Sequence, residues 1–189
     1  MTKQSLLFFL TLFLCVNACA ETRLRPAEWA TPVIGTELDN LYQVSKHLFR
    51  SEQPDATAFQ QLEKFGIHAV LNLRHHHTDN HEAEHTKLRL HHIKMDAGSI
   101  TSEQLYQSLH MIKKSNEPVL VHCWHGSDRT GTVVAAYRMA FQNWSKEQAI
   151  DEFKQGGYGY HHNVYPNLIT LLEQLDIPAL QKRLGVKAD

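Results

Sequence analysis

Hydrophobic and polar positions divide the chain into two unequal regimes. Ser5 to Val16 is an apolar run of about a dozen residues behind Lys3, the length of a signal-peptide core and short of the ~20 residues that span a bilayer. Small residues follow at cleavage-site spacing, Ala18-Cys19-Ala20 before Glu21, so residues 1–20 read as a secretory leader. The stretch Val16-Asn17-Ala18-Cys19 loosely resembles a lipoprotein box in which Cys19 would carry a lipid, but Asn17 fits it poorly. Export without a membrane anchor is the expectation.

Beyond the leader, short apolar runs alternate with amphipathic stretches. Leu41 to Phe49 reads as one or two short strands. Pro54 and Asp55 open a helix with Phe59, Leu62 and Phe65 inward and Gly66 at its end. Ile67 to Leu73 reads as a buried strand. A polar, histidine-rich stretch then runs to about Lys87 as a loop with a helical piece, and Leu88 to Met95 returns as a strand. Thr101 and Gln104 form a capping box, stapled by Ile100 and Leu105, at the head of a helix to about Lys114. Pro118 to His122 is a short buried strand. Helices follow from about Arg129 to Phe141, from Ser145, boxed with Gln148, to Lys154, and from Pro166 to about Leu175. Strands alternating with helical crossovers predict an α/β fold with a mostly parallel central sheet flanked by helices.

Export changes the weight of the cysteines. Cys15 and Cys19 lie in or beside the leader, so the exported chain would carry Cys123 alone. A lone thiol in an oxidising compartment is either an inert packing residue or one held for its chemistry. Its surroundings favour the second. In His122-Cys123-Trp124-His125-Gly126-Ser127-Asp128-Arg129-Thr130-Gly131 a cysteine at a strand end is followed, five residues on, by an arginine at a helix start. The backbone N–H groups between them can curl around a tetrahedral oxyanion, with the helix N-terminus adding favourable charge. Gly126 lets the loop bend closely, and Arg129 supplies a planar fork for two phosphate oxygens. That positive setting is expected to favour a Cys123 thiolate that attacks phosphorus, with Thr130 donating a hydrogen bond to the sulfur.

The pattern His122-Cys123-x5-Arg129-Thr130-Gly131 resembles the active-site loop of cysteine-dependent protein tyrosine phosphatases. The short chain and its flanking pattern are most similar to the dual-specificity branch, especially its exported bacterial members. The similarity runs from about Leu41 to Leu175 through Phe49-Arg50-Ser51-Glu52-Gln53-Pro54, Leu71-Asn72-Leu73-Arg74 and Gly156-Gly157-Tyr158-Gly159-Tyr160. It implies a dual-specificity phosphatase-like fold, with residues 21–40 as an N-terminal extension and 41–180 as the catalytic domain. It also implies a periplasmic location and hydrolysis of phosphotyrosine esters, with phosphoserine and phosphothreonine as further candidates, through a cysteinyl-phosphate.

The resemblance assigns roles residue by residue. Cys123 is the nucleophile. Arg129 and the backbone of Trp124, His125, Gly126, Ser127 and Asp128 bind the phosphate, and His122 and Gly131 support the loop. Trp124 and His125 are expected at the rim, the Asp128 side chain pointing outward, and Arg50 as a structural ion-pair partner. The segment Gly156 to His162 reads either as a pocket wall or as a helix-terminating turn. Family members place an acid upstream of the cysteine. Asp96, 27 positions before Cys123, fits as general acid and then base; a turn cap is its alternative role, and Asp79 is the fallback acid. A thiolate paired with a protonated carboxyl predicts a bell-shaped rate profile with a mildly acidic optimum.

Composition narrows the partners. Lys and Arg number 19 against 20 Asp and Glu, a net charge of −1 without the basic footprint of a nucleic-acid binder. A phosphorylated protein is the expected substrate, and the protein is expected to be a monomer that needs no cofactor. Half of the 14 histidines fall between His75 and His92; His81 and His85, four apart, suit a metal on one helix face, although a solvated loop is the commoner reason for such a stretch. Competing readings are an inositol phosphate or lipid phosphatase on the same scaffold, disfavoured by a loop without lysine, another thiol enzyme such as a sulfurtransferase, and a non-catalytic phosphate-binding module.

Overall fold

The computed structural model describes residues 24–186, so the leader and Cys19 lie outside the described residues. The strands are β1 (Thr31–Pro32), β2 (Tyr42–Gln43), β3 (Leu48–Ser51), β4 (Ala69–Asn72), β5 (Arg89–His92) and β6 (Val119–His122). They form one sheet in the order β1-β2-β3-β6-β4-β5. β6 runs parallel to β3 and β4 on either side, β5 is parallel to β4, and β1 and β2 add an antiparallel edge. The predicted mostly parallel sheet is thus present, extended by a short meander from the N-terminal stretch.

Register decides where the chemistry gathers. Ser51 and Asn72 both align with His122, and Asn72 with His92. Four parallel strands therefore stop in one row, and the segments that follow them leave from the same edge of the sheet. Those segments carry Gln53, Arg74, Met95-Asp96 and Cys123. In open α/β sheets the crevice beyond the strand carboxyl ends is where ligands bind.

Helices cover both faces. On one, α1 (Ala56–Phe65) buries Phe59 and Leu62 against Phe49, Val70 and Leu120. On the other lie α2 (Ser102–Lys114), α3 (Asp128–Phe141), α4 (Lys146–Gln155), α5 (Asn167–Gln174) and α6 (Ile177–Leu184). Here Leu71, Val119 and Val121 meet Leu105, Leu109, Val133 and Ala136. Every residue of α3 from Thr130 to Ala136 is buried, as expected of a helix enclosed on all sides. A buried ion pair fastens it to α4: Arg138 Nε donates to Glu152 Oε2 at 2.7 Å and Nη2 to Oε1 at 2.8 Å. Glu152 also accepts the Ala30 N–H and the Tyr158 hydroxyl, at 2.7 and 3.0 Å, tying the N-terminal stretch and the Gly156–His162 segment to the same carboxylate.

The locally encoded ends appear as expected. Asp55 caps α1 by accepting from Ala58 N, and both capping boxes, Thr101 with Gln104 and Ser145 with Gln148, are formed. Several expectations need correction. Phe65 is half exposed and meets Phe49 edge-on rather than facing inward. The histidine-rich stretch folds as turns without a helical piece, and the strand after it is confined to β5. α6 was not expected; Asp176 caps it and Pro178 sits in its first turn, where a missing N–H costs nothing. Among the described residues, no helix is long and apolar enough to cross a membrane.

Candidate active site

The loop from Cys123 to Arg129 is shaped from outside. Trp124 C=O accepts from Gln53 N at 2.9 Å, His125 C=O from Asn40 Nδ2 at 2.8 Å, and Gly126 C=O from Arg50 Nη2 at 2.5 Å. Ser127 C=O accepts from Gly131 N at 2.8 Å. With the carbonyls drawn outward, the N–H groups of Trp124 to Arg129 find no acceptor among the described residues. Peptide units fixed this way can form a concavity of donors of the kind that binds anions. Gly126 makes the bend at φ +70°, and a Cβ there would sit 2.5 Å from the Ser51 backbone, so no other residue fits. α3 then begins with Ser127 as N-cap but without a side-chain cap, leaving the positive end of the helix directed at the loop.

Three side chains of the loop have buried atoms with unmet bonding capacity. Cys123 is a free thiol, 2 % exposed. Arg129 Nε and Thr130 Oγ1 are buried and have no partner, while Arg129 Nη1 reaches only Met95 O, at 3.5 Å. The bond expected from Thr130 to the sulfur is therefore not formed. Buried donors without partners are rare in folded proteins, and two of them belong to this loop.

Arg50 is buried beneath the loop, 3.6 Å over the Tyr158 ring. The expectation of an ion pair is corrected: it holds a carbonyl and an aromatic face instead. Burial pulls its guanidinium down to about 10, against the opposing charges of Tyr158, Glu152 and Cys123. Burial likewise pushes Tyr158 up to about 12, with Glu152 adding to the shift. His122 lies between the loop and Asp79. Its Nδ1 faces Cys123 O at 3.1 Å and its Nε2 faces Asp79 Oδ2 at 2.9 Å.

Asp79 is a framework residue. It is 3 % exposed, and its Oδ1 accepts from Asn72 Nδ2 and Gln53 Nε2 at 3.0 and 2.9 Å. Burial alone would raise its carboxyl, but the bonds from His122, Gln53 and Asn72 outweigh that and hold it below the usual carboxylate range. A carboxyl so engaged has no proton to give. Asp96, by contrast, is exposed on the loop after β5, at the edge that carries Cys123. Its Oδ1 accepts from Gly98 N at 2.9 Å, which is the turn-capping contact, and no described donor engages Oδ2.

A cleft of about 480 Å³ opens beside the loop, lined by Ala97, Trp124, His125, Arg129, His161 and Val164. Trp124 is 54 % exposed and Val164 64 %, so the rim is apolar. Asp128 does not point outward. It turns into the Gly156–His162 segment, accepting from His161 N at 3.0 Å and facing His161 Nδ1 at 2.8 Å. Ser127 Oγ donates to Tyr158 O at 2.7 Å. That segment is thus a wall attached to the loop, the first of its two readings.

The histidine-rich stretch disperses. His75 pairs with His76, His77 faces Glu82 and His92 meets Arg74 O. Among the described residues no three His, Cys, Asp or Glu converge on a metal position. Sequence reasoning gave no role to Asn40, Gln53 and Arg74, which contact the loop or its framework. Gln53 and Arg74 were signalled only by belonging to segments that carry the family resemblance, and Asn40 by nothing.

Comparisons with known proteins agree with this geometry. A family model described as "Tyrosine phosphatase family" matches residues 37–182. The dual specificity protein phosphatase TpbA of Pseudomonas aeruginosa is 28 % identical over 146 residues, covering 76 % of this chain and 66 % of that relative, just short of two thirds of its length. A putative tyrosine-protein phosphatase, OCA1 of Mycosarcoma maydis, is 32 % identical over 132 residues, covering 64 % of this chain and 83 % of its own. The crystal structure of P. aeruginosa TpbA superposes with a TM-score of 0.75 at 25 % identity, covering 84 % of this chain and 98 % of that one.

Proposed function

The chain belongs to the tyrosine phosphatase family, and from that membership we propose that it hydrolyses phosphotyrosine esters of proteins through a cysteinyl-phosphate. The observation that carries the proposal is the loop itself: a buried free thiol at the head of a loop in which the carbonyls of Trp124 to Ser127 are all engaged by donors, which leaves the peptide N–H groups free to bind an anion. Cys123 attacks as the thiolate, forming a sulfur–phosphorus bond as the ester oxygen–phosphorus bond breaks. The N–H groups and the Arg129 fork hold the equatorial oxygens, where negative charge is spread in the transition state.

The leaving phenoxide takes its proton from Asp96. The Gly98 N–H engages one oxygen of that carboxyl, which leaves the other to carry the proton and fixes the plane in which it is presented. In the second step Asp96 takes a proton from water, the oxygen bonds to phosphorus, and the thiolate departs. Thr130, buried and unpartnered in the resting state, donates to the departing sulfur. The enzyme works as a monomer without a cofactor. It acts in the periplasm, a location supported by the apolar run Ser5 to Val16 and the cleavage-site pattern Ala18-Cys19-Ala20.

Turnover of aryl phosphates by the purified protein tests the mechanism. Cys123→Ser should lower the rate at least about a thousandfold. Asp96→Asn should lower kcat about a hundredfold on phenyl esters and far less on nitrophenyl esters, whose leaving groups need no proton. Retained turnover in Cys123→Ser would be fatal to covalent catalysis. Equal losses on both esters in Asp96→Asn would remove the acid role. Phosphotyrosine, phosphoserine and phosphothreonine peptides then rank the substrates.

A further inference from the structure

The carboxyl end of β4 delivers a cation that the reaction above does not use. Arg74 lies two residues past Asn72, whose partner in the sheet is His122. Its guanidinium stacks 4.0 Å over the ring of Trp124, the exposed residue next to the nucleophile. Nη1 donates to Gln53 Oε1 at 3.0 Å. Gln53 in turn bonds Asp79, the carboxylate that faces His122. Arg74 is therefore fixed to the same framework that holds the loop, and is not a loose surface arginine.

What it lacks is a counter-charge. Arg89, Arg138 and Arg183 each pair with a glutamate, whereas Arg74 has no carboxylate at ion-pair distance among the described residues. Asp79 and Glu82 are near enough to favour its charge, but Asp79 is engaged by His122, Asn72 and Gln53, and Glu82, whose Oε1 faces His77, makes no ion pair with Arg74. Partial burial and then the charge of Arg129 act against its ionised form, which places the two guanidinium groups in each other's field. With Nη1 occupied, Nε and Nη2 remain, and these two N–H groups lie on one edge of the guanidinium as the parallel fork a carboxylate fits.

We propose that Arg74, backed by Trp124, forms a rim subsite for the carboxylate of an acidic side chain flanking the phosphotyrosine of the substrate. The proposal rests on the phosphotyrosine reading and adds a preference to it. The stacked indole limits the arginine's rotamers, so little side-chain entropy is lost on binding. The acidic residue supplies the charge that Arg74 is missing, while the phosphate occupies the loop.

Two pairs of phosphotyrosine peptides test it, each pair differing only by Glu against Gln, on the N-terminal or the C-terminal side of the phosphotyrosine. The readout is the ratio of kcat/KM within a pair, for the native chain, Arg74→Gln and Arg74→Lys, with an aryl phosphate alongside. Because each ratio is internal to one protein, it does not depend on how much of a variant is folded. The native chain should prefer one acidic peptide on the order of fivefold, the size of one partly solvated charge contact. The preference should lie in KM, shrink at high salt, fall to about one in Arg74→Gln, and stay partial in Arg74→Lys. A native ratio of one on both sides, or an unchanged ratio in Arg74→Gln, overturns the subsite while aryl phosphate turnover leaves the phosphatase reading standing. Absence of turnover on every phosphoester overturns both.

Discussion

Asp79 and Asp96 are chemically the same group put to different work by what surrounds them. Asp79 is closed in by three donors from three segments, Asn72, Gln53 and His122, and is held below the usual carboxylate range. A folded-state pKa below the unfolded one stabilises the fold above the ordinary carboxylate value of about 4, and that contribution is lost as pH falls through the depressed value. Asp79→Asn should therefore lose about 3 kcal/mol at pH 7, the cost of leaving a buried partner uncompensated. Its deficit against the native chain should narrow at pH 3, below the ordinary carboxylate value, because the unfolded carboxyl then takes up a proton that the folded one resists. Urea unfolding at the two pH values measures both, and a deficit that stays constant with pH would show that the charge of Asp79 is not what matters. Choosing between the two aspartates from sequence needed only their distance from Cys123. Seeing why Asp79 is unsuitable needed its three partners, none of them adjacent to it in the chain.

α3 carries the site because it can be buried on all sides without large side chains. Gly131, one turn into the helix, lets α4 approach so closely that a Cβ would lie 2.4 Å from the Phe153 ring. Gly131→Ala should accordingly cost about 1–3 kcal/mol as an overpacking change, read as a lower thermal midpoint, and Phe153→Leu in the same chain should recover much of it. A double variant no more stable than Gly131→Ala would mean that the contact is not what makes glycine necessary. The same glycine, in the sequence, reads only as the end of a signature. Elements were legible wherever their signals are local: Asp55, Thr101 with Gln104, and Ser145 with Gln148 mark helix starts by bonds three residues long. They were obscure where the decision is tertiary. His81 and His85 sit at helical spacing in a stretch that folds as turns, and Phe65 has helical phase but, as the last residue of α1, is half exposed. Cys123, Gly126 and Arg129 were readable because loop chemistry is written contiguously. Arg50, Asn40 and Arg74 were not, since each acts on the loop from another strand or turn.

Across the molecule, the Arg138–Glu152 pair joins parts that no single element contains. Arg138 also donates to Val44 O, before β3, at 3.2 Å, and Glu152 receives Ala30 N and the Tyr158 hydroxyl. Arg25 adds to the same junction by donating to Ala30 O and Tyr158 Oη at 2.7 and 2.8 Å. Tyr158 lies under Arg50, and Arg50 holds the Gly126 peptide. Glu152→Gln should therefore do two things: lower stability by about 3–5 kcal/mol through the orphaned buried arginine, and weaken binding of inorganic phosphate to the fraction that remains folded. Chemical denaturation reads the first and phosphate inhibition of aryl phosphate turnover the second. Unchanged inhibition would separate this junction from the loop.

The peptide planes of the loop from Cys123 to Arg129 owe their orientation to Asn40, Arg50 and Gln53, all of which precede Cys123 by seventy residues or more. The signature His122 to Arg129 is therefore not a portable cassette. Grafted into a foreign strand–helix junction it would bring the reactive atoms without the scaffolding that aims them, and a protein engineer wanting this chemistry elsewhere would have to transplant the neighbouring strand ends as well.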